Sequence, residues 1–208
     1  MHPGRLIVYI AAASGAGKTR RLLDDARRAR LAGRNAVFGW IDPKGRPELS
    51  RLIDGIPRVP PRIVEVGEES VPEFDFEAAV AMQPDLVVLD DLSHENLRGS
   101  THAKRWQDAL ALRERGITVI GAFNIAHLDT TAPVAEVATG VPVHDVVPMS
   151  FIKSADEVIA LDISPQLLQR RLRSQKIFRD EDLARALSGP FKTQTLQALR
   201  ELLLRTID

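Results

Sequence analysis

Residues 12–19 read AASGAGKT and lie between an apolar run, LIVYIA at 6–11, and the segment TRRLLDDARRARL at 19–31. The first flanking segment has the uniform apolarity of a buried strand, and the second repeats apolar residues every three to four positions, as a helix does. Residues 12–19 match the phosphate-loop template G-x-x-x-x-G-K-[ST], except that Ala12 stands for the first glycine. The order strand, glycine-rich loop and helix therefore predicts an α/β fold that opens with a phosphate-binding loop.

Each fixed position of this loop has a physical reason. Gly15 and Gly17 permit backbone conformations that a Cβ forbids, so that successive amide N–H groups can point into one hollow at a helix N-terminus. Lys18 can reach the β- and γ-phosphates of a nucleotide, and Thr19 can offer its hydroxyl to Mg²⁺. The alternative, a glycine-rich turn that carries lysine and threonine by chance, is disfavoured by the flanking strand and helix. We expect six residues to bind the nucleotide: Ser14, Gly15, Ala16, Gly17, Lys18 and Thr19.

Polar side chains follow two further apolar runs. LVVLD ends at Asp90, and because Mg²⁺ takes oxygen ligands, usually one or two carboxylates, we expect Asp90 and Thr19 to hold the metal, with Asp90 on a neighbouring strand. Asp91 either orients or deprotonates an attacking water or caps the next loop. Asn124 ends the run ITVIGAFN, where its side chain can bind the attacking water or the γ-phosphate. Asp91 and Asn124 are therefore the candidate catalytic residues.

Other polar residues lie in loops at the same predicted edge of the sheet. Arg46 follows the second predicted strand, where ligands bind in open α/β sheets, and either reaches a phosphate or caps its turn. The 91–100 loop, which contains His94, is rich in hydrogen-bonding groups and is either a switch that senses the γ-phosphate or a polar surface loop. His127 is expected to pack or hydrogen-bond locally. The histidine spacing of a zinc site does not occur.

Apolar runs alternate with helix-period segments up to residue 164, and the pattern is helical afterwards. We therefore predict a P-loop NTPase-like, mostly parallel sheet with helices on both faces in residues 1–164, and a helical C-terminal extension packed on it in residues 165–208. The predicted strands are 6–11, 36–41, 62–66, 85–90, 117–122 and 157–162, with 62–66 at an edge because two prolines precede it. The predicted helices are 19–31, a short one opened by Pro47, 74–82, 102–115, 165–178, 180–187 and 193–205.

Composition excludes several classes of protein. The 208 residues include 28 basic and 28 acidic ones, for a formal charge of +0, which argues against a protein that binds nucleic acid by bulk charge. Without cysteine there is no disulfide, thiolate zinc site or cysteine nucleophile. The longest uncharged run, 116–128, is shorter than the about 20 apolar residues that span a bilayer, and the N-terminus lacks the features of a signal peptide. We expect a soluble domain in the cytoplasm.

Five runs, in this order and spacing, carry a resemblance to a known family: AASGAGKT, GWIDPKGRPE, VVLDDLSHEN, GSTHAKRWQD and FNIAHL. They resemble the N-terminal cytoplasmic domain of the KdpD family, the osmosensitive potassium-channel sensor histidine kinases of bacteria. The resemblance extends from about Arg5 to the end of the chain. It implies a nucleotide-binding regulatory domain that precedes a second cytoplasmic module, membrane helices and a kinase core. The remainder of such a sensor would be its partner, and the membrane would be reached only through that sensor.

Several positions depart from the family's pattern. Ser14 stands where the family usually has proline, Asp91 where it has glutamate and Ala126 where it has glutamine. The run DPK at 42–44 replaces Glu-Thr-His. If the second acidic residue or the histidine of the replaced run were catalytic, this chain would be altered there. The departures thus bear on turnover rather than on nucleotide binding.

These observations favour a regulatory domain that binds ATP with Mg²⁺, in which the γ-phosphate biases a switch made of the 91–100 and 42–47 loops. Hydrolysis should be slow, because the sequence offers no assigned arginine finger. A second hypothesis is a small-molecule phosphotransferase with Asp91 as base and the arginine-rich helix around 170–173 as a lid; that helix is otherwise expected to have a solvated basic face. A third is an interaction domain whose loop binds nothing.

Overall fold

The computed structural model describes residues 2–41, 53, 55–174 and 180–207, and these form an α/β structure. The strands are β1 (Leu6–Ala11), β2 (Ala36–Trp40), β3 (Arg62–Val66), β4 (Glu69–Glu73), β5 (Leu86–Leu89), β6 (Thr118–Asn124) and β7 (Glu157–Leu161). The helices are α1 (Lys18–Leu31), α2 (Phe76–Ala81), α3 (Arg105–Glu114), α4 (Ala132–Thr139), α5 (Met149–Ser154), α6 (Pro165–Ser174), α7 (Asp180–Ser188) and α8 (Thr193–Ile207), with a 3₁₀ turn at Ile125–His127.

The main sheet has five strands in the order β2-β5-β6-β1-β7. All four neighbouring pairs are parallel, so the C-terminal ends of the strands lie at one edge of the sheet. Parallel strands that follow one another in the chain must be joined by a crossover connection. Helix α1 forms part of the connection from β1 to β2, and α3 forms part of the connection from β5 to β6. This edge brings together the loops that follow β1, β5 and β6.

Different helices cover the two faces of the sheet, because side chains alternate along each strand. On β1, Leu6, Val8 and Ile10 belong to one core that also contains residues of α3, α5 and α8. Tyr9 belongs to a second core, on the face that α1 covers. Burial on both faces explains why the central strands are almost continuously apolar in sequence. The predicted α/β class, with a parallel sheet and helices on both faces, is confirmed.

The prediction that residues 62–66 form an edge strand of this sheet is wrong. They form β3, which pairs with β4 in a separate antiparallel hairpin, and the sequence analysis missed β4. Gly67, at φ 63°, makes the tight turn between the two strands. Pro72 removes a backbone donor from β4, and Ile63 is 58% exposed. The hairpin buries little apolar surface. The alternation of apolar residues in 62–66 therefore did not reveal that β3 pairs with β4 and not with a strand of the main sheet.

The structure adds two helices, α4 and α5, for which the sequence analysis made no prediction. The signals for α4 are nevertheless present in the sequence. Pro133 lies at the first turn and Gly140 follows the last one at φ 68°. α5 is a short helix of 6 residues that places Phe151 and Ile152 in the main core.

After β7 the described chain is helical, as the sequence predicts. Leu199 and Leu203 of α8 belong to the same core as β1. Leu168 and Leu172 of α6 instead form a smaller core that includes Ala13. A domain boundary at residue 164 stays a prediction. None of the helices in the described ranges combines the length and the apolarity that a membrane-spanning helix needs.

Candidate functional site

The loop formed by residues 12–19 leaves β1 at the C-terminal edge of the sheet and enters α1 at Lys18. Gly15 and Gly17 have φ angles of 90° and 104°, which side chains with a Cβ rarely adopt. The first turn of α1 contains no acidic residue, so the helix itself supplies no negative charge against the partial positive charge of its N-terminus. The loop therefore has the backbone conformation that its glycines predict, at a position that favours an anion.

Lys18 extends from the first turn of α1 to the end of the adjacent strand. Its Nζ donates a hydrogen bond to Oδ1 of Asn124 at 2.5 Å. Asn124 ends β6 and is the register partner of Ala11, the last residue before the 12–19 loop. The Asn124 Nδ2 atom in turn lies 3.4 Å from Oγ of Ser14. The amide side chain therefore bridges the two sides of the loop, and it holds the ammonium group at the loop's mouth.

Thr19 contacts the acidic residue that the sequence analysis assigned to the metal. Its Oγ1 donates to Oδ2 of Asp90 at 2.8 Å. Asp90 directly follows β5, and β6 lies between β5 and β1, so the expectation that Asp90 lies on a strand next to β1 is wrong. The contact forms nonetheless, since Thr19 lies one residue into α1 and reaches across the edge of the sheet. Two oxygen atoms that could coordinate a metal ion, a hydroxyl and a carboxylate oxygen, thus lie close together at the 12–19 loop.

Asp91 turns sharply away from the strand that precedes it. Its φ is 55°, in the left-handed region that an aspartate tolerates better than most residues. Its N–H donates to Oδ1 of Asp90 at 2.9 Å, and its own Oδ1 accepts from the hydroxyl of Ser93 at 2.9 Å. The carboxylate is exposed and held by a local hydrogen bond. Of the two roles that the sequence left open, the contact to Ser93 is the one expected of a residue that caps a loop.

A buried ion pair anchors the 91–100 loop from beneath. Glu73, at the end of β4, accepts from Nη2 of Arg105 at 2.5 Å, and both side chains are 1% exposed. Glu73 Oε2 also accepts from the N–H of Leu97 at 2.9 Å and lies 2.9 Å from Nε2 of His94. The Arg105 guanidinium stacks over the ring of Trp40, 4.8 Å from its centroid. One carboxylate therefore links the hairpin, the loop and the first turn of α3.

Burial and charge act in opposite directions on this pair. Burial by itself raises the pKa of Glu73, but hydrogen bonds from His94 and Leu97 and the charge of Arg105 outweigh it and lower the pKa to about 2. For Arg105, burial dominates and lowers the pKa of the guanidinium, although the Glu73 and Asp91 charges oppose the effect. A guanidinium stays protonated in spite of such a shift. The site thus contains a charged pair that water does not solvate.

A second buried carboxylate holds the other end of the loop. Asp108 of α3 lies 2.7 Å from Nδ1 of His102 and accepts from Nδ2 of Asn96 at 2.6 Å. Burial raises the pKa of Asp108, and the hydrogen bonds from His102 and Asn96 limit the rise. His94 and Asn96 of this loop therefore contact buried acids of the protein itself.

Sequence reasoning missed Glu73, Arg105 and Asp108. The signal for two of them was present, because Arg105, Asp108, Ala109 and Leu112 occupy positions i, i+3, i+4 and i+7 of one helix face, and all four are buried. Charged residues on an otherwise apolar face predict a buried ion pair when an opposite charge is available. Nothing in the sequence marks Glu73 as that charge, since it is one of several acidic residues in the hairpin.

The remaining predicted residues are placed as follows. Arg46 and the 42–47 loop lie outside the described residues, so these two assignments stay predictions. His127 Nδ1 lies 2.8 Å from the carbonyl oxygen of Asp145. Arg171 of α6 contacts the 12–19 loop, where its Nη1 lies 3.4 Å from the carbonyl oxygen of Ala16. In the part of the chain that the structure describes, no group of three or more histidines and acidic residues is arranged to hold a metal ion.

The fold and this site define an α/β protein in which a glycine-rich loop follows the first strand of a parallel sheet and meets side chains from two other strand ends. A family model described as the osmosensitive K⁺ channel His kinase sensor domain, KdpD, matches residues 2–208. The chain belongs to this family.

Three relatives named Sensor protein KdpD illustrate the similarity. The protein from Mycobacterium tuberculosis (strain ATCC 25618 / H37Rv) is 39% identical over 201 residues, which cover 97% of this chain and 23% of the relative. The Escherichia coli (strain K12) protein is 37% identical over 204 residues, covering 98% and 23%. The Clostridium acetobutylicum protein is 32% identical over 202 residues, covering 97% and 22%. The chain thus spans about a quarter of the length of these relatives.

Proposed function

We propose that this chain is an ATP-binding regulatory domain of a KdpD-like, potassium-responsive sensor kinase, located in the cytoplasm, with the remainder of that sensor as its partner. The observation that carries the proposal is the meeting of Lys18 and Asn124, 2.5 Å apart, beside the glycine-rich loop. An ammonium group at the mouth of a loop that opens a helix can pair with a polyphosphate, which carries more negative charge than the amide oxygen does.

The side chains next to the loop suit Mg²⁺. Thr19 and Asp90 present a hydroxyl and a carboxylate oxygen 2.8 Å apart, and Mg²⁺ prefers hard oxygen ligands and few carboxylates. Mg²⁺ bound there would supply positive charge against the β- and γ-phosphates. The hydrogen bond between the two residues keeps both oxygens close together. We therefore assign Thr19 and Asp90 to the metal and residues 14–19 to the phosphates.

The 91–100 loop is our candidate for the switch. It begins directly after Asp90, and the N–H of Asp91 donates to the same carboxylate that accepts from Thr19. Further along the loop, Leu97 and Asn96 contact Glu73 and Asp108, which lie outside the 12–19 loop. A change in the contacts of the Asp90 carboxylate would therefore affect Asp91, the next residue, directly. The loop would transmit this change to the hairpin through the contact with Glu73. This arrangement supports a regulatory output.

Slow hydrolysis fits the same geometry. The Asp91 carboxylate is engaged by Ser93 at 2.9 Å, and Asn124, an amide, can orient a water but cannot take its proton. A domain that reports the presence of ATP has to keep the γ-phosphate for some time. We therefore expect turnover well below that of a metabolic kinase.

Calorimetric titration of the chain with ATP, ADP, GTP and cyclic dinucleotides, each with Mg²⁺, tests the proposal. We expect ATP to bind, and at a concentration of 100 times Kd it should stabilise the fold by about 2.7 kcal/mol. Lys18→Ala should abolish this stabilisation and leave the unliganded fold intact. Lys153→Ala, which removes the same charge from an exposed position on α5, is the matched control. Failure of the unaltered chain to bind ATP would overturn the proposal.

The exposure of Asp91, next to Asp90 at the C-terminal edge of the sheet, supports a second candidate function, phosphotransfer to a small molecule. Incubation with Mg-ATP and candidate acceptors distinguishes the two. Product formed at about 1–100 per second would favour the phosphotransferase, because that is the range of kinases. Binding without such turnover would favour the regulatory domain.

A further inference from the structure

Helix α6 packs directly on the glycine-rich loop. Its Leu168 and Leu172 side chains, 1% and 0% exposed, form a small core with Ala13 of the loop and Leu196 of α8. A Cβ built on Gly15 would lie 3.1 Å from a methyl carbon of Leu168 and 3.2 Å from one of Leu172. The loop and the helix therefore touch at a glycine, although more than 150 residues separate them in sequence.

This packing brings one arginine to the loop. Arg171 Nη1 lies 3.4 Å from the carbonyl oxygen of Ala16 and 3.7 Å from the position of a Cβ on Gly17. A separation of 3.4 Å makes a long, weak hydrogen bond, and a backbone carbonyl carries no net charge. In the described part of the chain, this is the single hydrogen bond that the guanidinium makes, while a guanidinium has five donors.

The other two arginines of the helix face elsewhere. Arg170 and Arg173 are exposed and, with Gln166 and Ser174, line an open groove of about 560 Å³. Arg171 is half-buried and does not line that groove. One helix thus carries three similar charges, of which one is placed at the 12–19 loop and two are not. This difference gives the helix its own internal control.

We propose that Arg171 binds the polyphosphate of the nucleotide held by the 12–19 loop, and so makes the C-terminal helices part of the nucleotide site. This inference rests on the proposed function. A phosphate oxygen offers the guanidinium a charge-assisted hydrogen bond, about twice as strong as one between neutral groups, in place of the weak contact to Ala16. The planar fork of a guanidinium also matches two oxygens of one phosphate, which an ammonium group cannot do.

Helix α6 is held in a way that suits this role. Arg200 of α8 binds Asp162, between β7 and α6, through two hydrogen bonds of 2.6 and 2.7 Å. The entry to α6 is therefore fixed, and Arg171 lies about two turns further along the helix, next to the 12–19 loop. The apolar contacts of Leu172 and Leu196 would carry the resulting restraint from α6 to α8.

The test compares two variants of the same helix by calorimetric titration with Mg-ATP. Arg171→Met keeps the apolar part of the side chain and removes its charge, and Arg173→Met does the same at an exposed position. Hydrogen bonds to charged groups contribute about 1.5–3 kcal/mol, so we expect Arg171→Met to weaken ATP binding by about 10- to 150-fold. Arg173→Met should stay within about twofold of the unaltered chain, because a screened surface charge contributes little.

A second measurement separates a phosphate contact from a merely structural role. Mg-ATP should slow amide hydrogen exchange in α6 in the unaltered chain and in Arg173→Met, and should not do so in Arg171→Met. The unliganded melting temperatures of the three proteins should agree, since the contact to Ala16 is weak. Equal ATP affinity in the two variants, or equal protection of α6, would overturn the inference.

The two proposals fail in different ways. If the unaltered chain does not bind Mg-ATP, the proposed function itself is wrong. If it binds and Lys18→Ala abolishes binding, while Arg171→Met binds as Arg173→Met does, only the role of Arg171 is wrong. Arg171→Lys adds a graded outcome: a point charge without the fork should recover part of the lost affinity.

Discussion

Lys18 reaches the site from the first turn of α1 and Asn124 from the end of β6, and the two meet at 2.5 Å, ammonium nitrogen to amide oxygen. Asn124 ends the strand that lies between β1 and β5, so its side chain is flanked by the 12–19 loop on one side and by Asp90 on the other. An uncharged oxygen can hold the ammonium group in place and still lose it to a phosphate. The identity of this residue as an amide therefore matters for affinity.

Asn124→Asp tests that argument. The substitution places a carboxylate against the ammonium group of Lys18, and an ion pair of this kind competes with a phosphate for the same charge. We expect affinity for Mg-ATP to fall by at least tenfold, or about 1.4 kcal/mol, in a calorimetric titration. Asn124→Ala, which removes the hydrogen bond without adding charge, should cost less. Equal losses in the two variants would contradict the explanation.

Gly15→Ala tests the contact between the glycine-rich loop and α6. The new methyl group would meet Leu168 and Leu172 at 3.1 and 3.2 Å, and it would also strain a backbone with φ 90°. Gly33→Ala is the matched control, because Gly33 has φ 80° and nothing within 4 Å of the Cβ position. A left-handed alanine costs about 1–2 kcal/mol at either position.

The difference between these two variants isolates the packing. We expect Gly15→Ala to be less stable than Gly33→Ala by about 1 kcal/mol in urea unfolding, because overpacking costs about 1–3 kcal/mol and the leucine side chains can shift in part. Gly15→Ala should also weaken Mg-ATP binding, whereas Gly33→Ala should not. If both variants lose the same stability, α6 does not press on the loop.

Local sequence determines those parts of the structure that could be predicted. A short motif or an apolar period predicts the strand before residue 12, the helix that begins at Lys18 and the carboxylate at Asp90. In the structure, Lys18 contacts Asn124 and Thr19 contacts Asp90. Local patterns could not predict that β3 pairs with β4, because that hairpin is half exposed and its apolar pattern resembles that of an edge strand.

Contacts between distant segments account for the rest of the site. Arg171 reaches the loop at Ala16 because α6 packs on Gly15, and no sequence pattern records which of three arginines on a helix faces a loop in another part of the chain. Glu73 and Arg105 are likewise 32 residues apart, and their contact joins the end of the hairpin to the first turn of α3. Such pairs depend on the tertiary fold.

The depressed pKa of Glu73 predicts a specific dependence of stability on pH. The carboxyl group has a pKa near 4.5 when unfolded and about 2 in the fold, so folding favours its charged form. Its contribution is therefore fully present above pH 4.5 and is lost as the pH falls towards 2. A shift of this size corresponds to about 3 kcal/mol, since each pKa unit is worth about 1.4 kcal/mol.

Urea unfolding at pH 7, 5, 4 and 3 measures this contribution as a difference between variants. Glu73→Gln lacks the titrating group, so the stability gap between it and the unaltered chain should narrow as the pH falls below about 4.5. Glu68→Gln, at an exposed position of the same hairpin, should show a gap that does not change. A gap for Glu73→Gln that stays constant from pH 7 to 3 would mean that the carboxyl is not stabilised in its charged form.

A double-mutant cycle on Glu73 and Arg105 tests whether the two buried charges depend on each other. Removal of one partner leaves the other buried and unpaired, which costs about 3–5 kcal/mol. Arg105→Met retains much of the contact with the Trp40 ring, and Glu73→Gln keeps the shape of the side chain.

The double variant has no unpaired charge, so we expect it to be at least about 2 kcal/mol more stable than the sum of the single losses implies. For a chain of 208 residues, 2 kcal/mol is about 4–8 °C in melting temperature, which calorimetry resolves easily. Additive losses would show that His94 and the N–H of Leu97, and not Arg105, hold the Glu73 carboxylate in place.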